Sequence, residues 1–96
     1  MDRKTIFNAL QKAEPQLRER GVQSLAVFGS VARGDYSQES DLDILVDFSR
    51  PIGLFEFVRL KYFLEEVTGC RVDLVTRDAL RPEMRERILN EAIHVP

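Results

Sequence analysis

Phe28-Gly29-Ser30-Val31-Ala32-Arg33-Gly34-Asp35-Tyr36-Ser37-Gln38-Glu39-Ser40-Asp41-Leu42-Asp43 is the stretch whose reading decides the fold. A Gly-Ser pair closes one apolar run. After ten intervening residues, Asp41-Leu42-Asp43 opens a second run, Ile44-Leu45-Val46. A third acid, Asp73, sits inside a third run, Val72-Asp73-Leu74-Val75. Three carboxylates and a Gly-Ser turn on one small sheet point to a metal-nucleotide site, with helices holding the strands.

The strand read over Asp41 to Phe48 carries the most information. Leu42, Ile44, Val46 and Phe48 alternate with Asp41, Asp43, Leu45 and Asp47, so period two sends the apolar set to one face and the acids to the other. A solvated outer face accounts for Asp47, near the strand end. It accounts less well for Asp41 and Asp43, because Asp is disfavoured in strands and two like charges about 6.6 Å apart on one face repel.

Working outward, Asp2 to Arg20 reads as helix, with Ile6, Leu10, Ala13 and Leu17 on one face and Phe7 widening it. Pro15 predicts either a kink or a second helix starting with Pro15 at its first position. Gly21 caps that segment. Val22 to Phe28 reads as a central strand, Ser30 to Arg33 as a short helical turn, and Gly34 to Ser40 as a polar loop. Ser49 to Gly53 is a turn. Leu54 to Thr68 reads as a long helix with a broad stripe of Leu54, Phe57, Val58, Leu60, Lys61, Leu64 and Val67, capped by Gly69. Arg71 to Val75 is the third strand. Arg77 to Leu80 links to a last helix begun near Pro82, with Met84, Ile88, Leu89 and Ala92 facing inward. The order of elements gives an α/β domain with a small mixed sheet flanked by helices.

At 96 residues, one domain over 1–96 is expected, with a modest core. The net charge of −2 gives no footprint for direct nucleic-acid binding. One cysteine, Cys70, predicts no internal disulfide and a reducing, cytoplasmic setting. No apolar run reaches the roughly 18 residues of a membrane span, and residues 1–5 lack a secretion-signal core. The oligomeric state stays open.

Rival motifs fail residue by residue. Gly29 and Gly34 have P-loop spacing, but Asp35 and Tyr36 stand where Lys and Ser or Thr are needed. A calcium loop would need an oxygen ligand and a glycine where Leu45 and Val46 stand. Zinc is a poor fit to one Cys and one His, His94. Arg33-Gly34-Asp35 matches an adhesion tripeptide by coincidence. Mg²⁺ and a nucleoside triphosphate remain. Mg²⁺ takes carboxylates plus substrate phosphates, and two ions about 3.5–4 Å apart can serve an in-line displacement at phosphorus. Asp41, Asp43 and Asp73 are the expected metal-binding and catalytic residues, with Asp73 as base or second ligand. Gly29 would let backbone approach the phosphates, Ser30 would offer a hydroxyl and an N–H, and Arg33 could reach phosphate. Arg77, Arg81 and Arg85 read as a solvated face laced with Glu83 and Glu86. Cys70 reads as a buried filler, and His94 as a surface or packing residue.

Gly29-Ser30, ten residues, Asp41-Leu42-Asp43 and then Asp73 resembles the nucleotidyltransferase signature of the DNA polymerase beta superfamily. The resemblance is greatest to its smallest members, the minimal nucleotidyltransferase (MNT) domains. It covers nearly the whole chain, including Gly69-Cys70-Arg71-Val72-Asp73-Leu74-Val75 and the tail Glu91-Ala92-Ile93-His94-Val95. Asp35 stands where Glu is more common. The resemblance implies a polymerase beta-like fold, and an antitoxin that moves AMP from ATP onto a tyrosine of a partner HEPN ribonuclease toxin. The length leaves no room for an acceptor domain, in keeping with an acceptor on a partner protein. The alternatives are an antitoxin that acts by occlusion alone, and nucleotidyl transfer to a small molecule.

Overall fold

A computed structural model describes residues 2–96. Its centre is a four-stranded sheet of order β3-β2-β1-β4. The strands are β1 (Val22–Phe28), β2 (Leu42–Phe48), β3 (Val72–Thr76) and β4 (Ile93–Val95). β1 lies antiparallel to both β2 and β4, and β2 is parallel to β3. A parallel pair needs a crossover, supplied here by helix α4 (Leu54–Thr68). The mixed α/β sheet expected from the sequence is present.

β4 was not legible in the sequence. It is three residues long, begins two residues after helix α5 (Pro82–Glu91), and pairs Ile93 with Val27 and Val95 with Leu25. A strand that short shows too few alternations to register as period two. β2 begins at Leu42 rather than Asp41, so the first acid lies just outside the ladder.

At the N-terminus the single helix becomes two, α1 (Arg3–Lys12) and α2 (Glu14–Glu19), broken at Ala13. Pro15 lies in the first turn of α2, where its missing N–H has no partner to lose. Continuing α1 through Pro15 would drive the ring into the carbonyl of Gln11. The new helix starts at Glu14, one residue earlier than the reading that put Pro15 first.

The main core fills one face of the sheet. Val27, Ile44, Val46 and Leu74 meet Ile6 and Leu10 of α1 and Leu60 and Leu64 of α4. The stripe read on α4 was too wide. At 3.6 residues per turn, Leu54 lies about a quarter-turn from the line through Leu60 and Leu64, and it is 74 % exposed beside Phe55 at 80 %. Gly69 ends the helix in the left-handed conformation, φ 70°.

The opposite face is only part covered. Phe28 and Leu45 pack there against Leu80 and Ile88, with Ala26, Val75, Leu89 and Ala92 alongside. This accounts for Leu45, the one apolar residue on the acid face of β2: α5 lies over it. Met84 does not join that contact and stands exposed, contrary to the inward position read for it. It lies at the other end of the helix face that carries Ile88. Among the described residues no helix is long and apolar enough to cross a membrane.

The register of α4 is testable. Leu64→Ala should cost about 2–5 kcal/mol in urea unfolding. Leu54→Ala should stay within about 0.5 kcal/mol. Equal losses would mean that the helix presents a different face to the sheet.

Candidate active site

Parallel pairing sets Asp43 of β2 directly beside Asp73 of β3. Both point to the half-covered face, and α5 stops short of them. Asp43 is half-buried and Asp73 exposed. Asp41, just ahead of β2, is held by Arg71, whose Nε lies 3.1 Å from Asp41 Oδ1. The Arg71 Nη2 also donates to the Glu39 carbonyl at 2.7 Å, and its own carbonyl accepts from the Leu42 N–H at 2.7 Å. One arginine therefore clamps the loop that delivers Asp41. Among the described residues, no three His, Cys, Asp or Glu side chains already converge as a cation cage.

Gly29 comes against Asp43 from the end of β1. Its φ is +73°, and a Cβ there would overlap Asp43 Oδ2 and lie 3.0 Å from Asp43 Cγ. The glycine is needed twice, for a backbone conformation that side chains disfavour and for the space that the carboxylate occupies. This packing requirement comes in addition to the approach to phosphate expected of it. The short helix α3 (Gly29–Arg33) follows, anchored by buried Val31 and Ala32 and ended by Gly34 at φ 89°. The Ser30 carbonyl accepts from the N–H groups of Gly34 and Asp35 at 2.9 and 3.1 Å. The Ser30 hydroxyl has no partner among the described residues.

Burial pushes the Asp43 carboxyl up to about 6, and the charges of Asp73 and then Asp41 push the same way, as does a hydrogen bond with Asp73; Arg33 opposes them. Asp43 thus sits where negative charge is in excess. Such a group holds its proton into mildly acidic solution, and once ionised it is open to a positive partner.

A cleft of about 330 Å³ opens beside Asp43. Gly29, Ser30 and Arg33 line one side. Met84, Arg87 and Glu91 of α5 line the other. Arg33 is already engaged, donating from Nη1 to Glu91 Oε2 at 2.9 Å and from Nε to Asp35 Oδ2 at 3.3 Å. The sequence singled out neither Arg87 nor Glu91 nor Arg71 for this site. Glu91 lies 58 residues from Arg33, and no local spacing encodes such a meeting.

Other acids and bases fall elsewhere. Asp47, at the far end of β2, accepts from Ser24 Oγ at 3.0 Å and from Arg77 Nε at 3.0 Å. Arg85 donates to the Arg77 carbonyl at 3.1 Å. The lacing of Arg77 and Arg85 with Glu83 and Glu86 is thus replaced by contacts across elements. Cys70 is half-buried, a free thiol packed at the core's edge. His94 is exposed on β4.

The nucleotidyltransferase domain model matches residues 10–95. The chain belongs to the nucleotidyltransferase domain family. Its relatives carry a more specific name. The protein adenylyltransferase MntA of Thermococcus cleftensis is 41 % identical over 94 % of this chain and 92 % of its own length. A Methanocaldococcus jannaschii protein, named as a candidate protein adenylyltransferase, is 46 % identical over 88 % of this chain and 91 % of its own. A solved structure described as a candidate minimal nucleotidyltransferase superposes with TM-score 0.82 at 42 % identity, covering 97 % of this chain and 95 % of that one. Two further likenesses bear on the fold alone. A toxin-antitoxin structure with AMP-PNP gives TM-score 0.74 at 22 % identity, over 94 % of this chain and 72 % of that chain. A tri-AMPylated Shewanella oneidensis HEPN toxin in complex with MNT antitoxin gives 0.68 at 18 %, over 99 % and 72 %. The polymerase beta-like fold and the family expected from Gly29-Ser30 and Asp41-Leu42-Asp43 are those found.

Two measurements check this geometry. Gly29→Ala should cost about 1–3 kcal/mol through its positive φ and the overlap with Asp43. In an Asp43→Ala background the loss should be smaller, because the overlap is gone; additive losses in urea unfolding would refute the contact. The second concerns pH. Asp43 titrates near 6 when folded, against an ordinary 3.8. The folded state therefore binds more protons than the unfolded state between those values. Stability should fall as pH rises from about 4 to about 6, then level off. Asp43→Asn should be more stable than the parent by about 1 kcal/mol at pH 8, after allowance for solvent screening, and equal to it at pH 4. A gain of the same size at both pH values, in chelator, would contradict the charge crowding.

Proposed function

We propose that this chain is an antitoxin that transfers AMP from ATP to a tyrosine hydroxyl of a partner HEPN toxin, acting as one nucleotidyltransferase domain over residues 1–96. The observation that carries the reading is the Asp43–Asp73 pair, held together against its own repulsion beside an open cleft. A surface with no chemistry to perform has no use for crowded carboxylates. The family match and the relatives named protein adenylyltransferase support it. So do the fold neighbours described with AMP-PNP and with an AMPylated HEPN toxin.

The donor set fits Mg²⁺. Asp41, Asp43 and Asp73 offer only hard oxygen ligands, and the raised Asp43 carboxyl marks a place where a cation would relieve the charge. Bound there, the ion would neutralise phosphate charge at the reacting phosphorus. The chain's residues do the remaining work. Ser30, on the wall of the cleft that would take the triphosphate, offers a hydroxyl with no partner among the described residues. Gly29 keeps its backbone flat against Asp43. Arg33, braced by Asp35 and Glu91, tempers the charge from the side. Asp73, exposed on an edge strand, is open to an acceptor arriving from outside. The acceptor oxygen attacks the α-phosphorus, its proton passes to Asp73, the new O–P bond forms, and pyrophosphate leaves in line. A cytoplasmic setting goes with ATP as substrate and a free thiol at Cys70.

Asp43→Asn and Asp73→Asn should each lower AMP transfer by about 10²–10⁴-fold while the complex with the partner still forms. Co-expression with a partner HEPN toxin, scored for growth, complex and an AMP mass increase, checks it. Growth protection by Asp73→Asn with no mass change would replace transfer with occlusion.

A further inference from the structure

Helix α5 carries one feature that the proposed chemistry has not used. Met84, Arg87, Ile88 and Glu91 recur at helical spacing and share one face. Ile88 is buried against Phe28 and Leu45. Glu91 holds Arg33. Met84 and Arg87 line the cleft beside Ser30 and Asp43. Arg87 has no hydrogen bond or ion pair among the described residues, whereas the cleft's other arginine, Arg33, is engaged at both Nη1 and Nε.

We propose that Arg87 is the side chain that grips the triphosphate of the bound nucleotide; the assignment rests on the nucleotidyl-transfer reading above. Electrostatics makes the argument. The cleft already contains Asp43 and Glu91, with Asp73 next to Asp43. A triphosphate brings several more negative charges into it, and a cation at the carboxylates meets only one end of them. The opposite wall must supply positive charge, and Arg33 is already committed to Asp35 and Glu91. Arg87 needs no bond broken before it turns to a phosphate. Its planar fork suits two phosphate oxygens at once. Phe28, Met84 and Ile88 give the same cleft an apolar side, suited to ribose or base. The cleft, at about 330 Å³, falls within the ordinary range for small-ligand sites. An exposed arginine on a helix is ordinarily only solvated. What separates Arg87 from Arg81 is its place on the cleft wall.

The test is binding rather than turnover. Calorimetry with Mg²⁺ present compares ATP, tripolyphosphate and adenosine on the whole chain and on Arg87→Gln, Arg87→Lys and Arg81→Gln. Losing a charge-assisted contact should weaken ATP and tripolyphosphate by about tenfold or more in Arg87→Gln. Adenosine should be unaffected, Lys should restore part of the loss, and Arg81→Gln should match the parent. Unchanged melting of the variants in the absence of ligand would exclude a folding effect, and Arg87 has no hydrogen bond or ion pair among the described residues whose loss would cause one. ATP binding by the parent with equal binding by Arg87→Gln overturns the assignment and leaves the nucleotide reading standing. Failure of the parent itself to bind Mg·ATP overturns both.

Discussion

The Asp43 carboxylate packs onto the bare Cα of Gly29 with Asp73 beside it, and much of the fold serves that contact. Three strands must end or begin at the same place for it to form. β1 runs toward the site and turns at Gly29, while β2 and β3 run away from it in parallel. The register is fixed by the core on the other face. Moving β2 by one residue would bury Asp43 and expose Ile44, which is fully buried. The hydrophobic pattern therefore specifies the chemistry's geometry without touching it.

Helix α5 divides the second face of the sheet into a dry half and a wet half. Ile88 closes the dry half over Leu45 and Phe28, and the same helix face, from Met84 to Glu91, walls the cleft. Because the cleft is bounded by a packed helix rather than a loop, its width is set by the Ile88 contact. β4 follows immediately and pins the end of α5 to β1. The three-residue strand thus fixes the far wall of the site, although it contributes no residue to it.

Most of this was legible from period and spacing. The three long strands, α4 with its glycine cap and the acid face of β2 follow from alternation and helical stripes. So does the pairing of Gly29-Ser30 with Asp41 and Asp43, because those residues are close in sequence. Losses came where tertiary context decides. Met84 is apolar at helical spacing from Ile88, so its pattern is that of a core residue. Only the end of the sheet beneath it shows that it borders a cleft. The sequence does not reveal that Asp43 occupies the Cβ space of Gly29. The Arg71 clamp on Asp41 and the Arg33–Glu91 pair join residues far apart in the chain, and charged residues form no periodic signal that would match them.

The site divides into parts that cannot move and parts that can. Asp43 and Gly29 are locked by sterics and strand pairing, and neither can shift without disturbing β1 or β2. The ion pairs around them are different. Arg33 is about half exposed, at 49 % of its side chain, and Arg71 is 72 % exposed. Exposed pairs contribute about 0–1 kcal/mol, so small shifts in them cost little. A small domain has little stability to spare. Placing the crowded carboxylates on the rigid sheet and the ion pairs on its rim confines rearrangement to the weakest contacts. On the proposed reading, the unpaired Arg87 takes the phosphates and the rim pairs adjust around them, while Asp43 and Asp73 stay where the strand register put them.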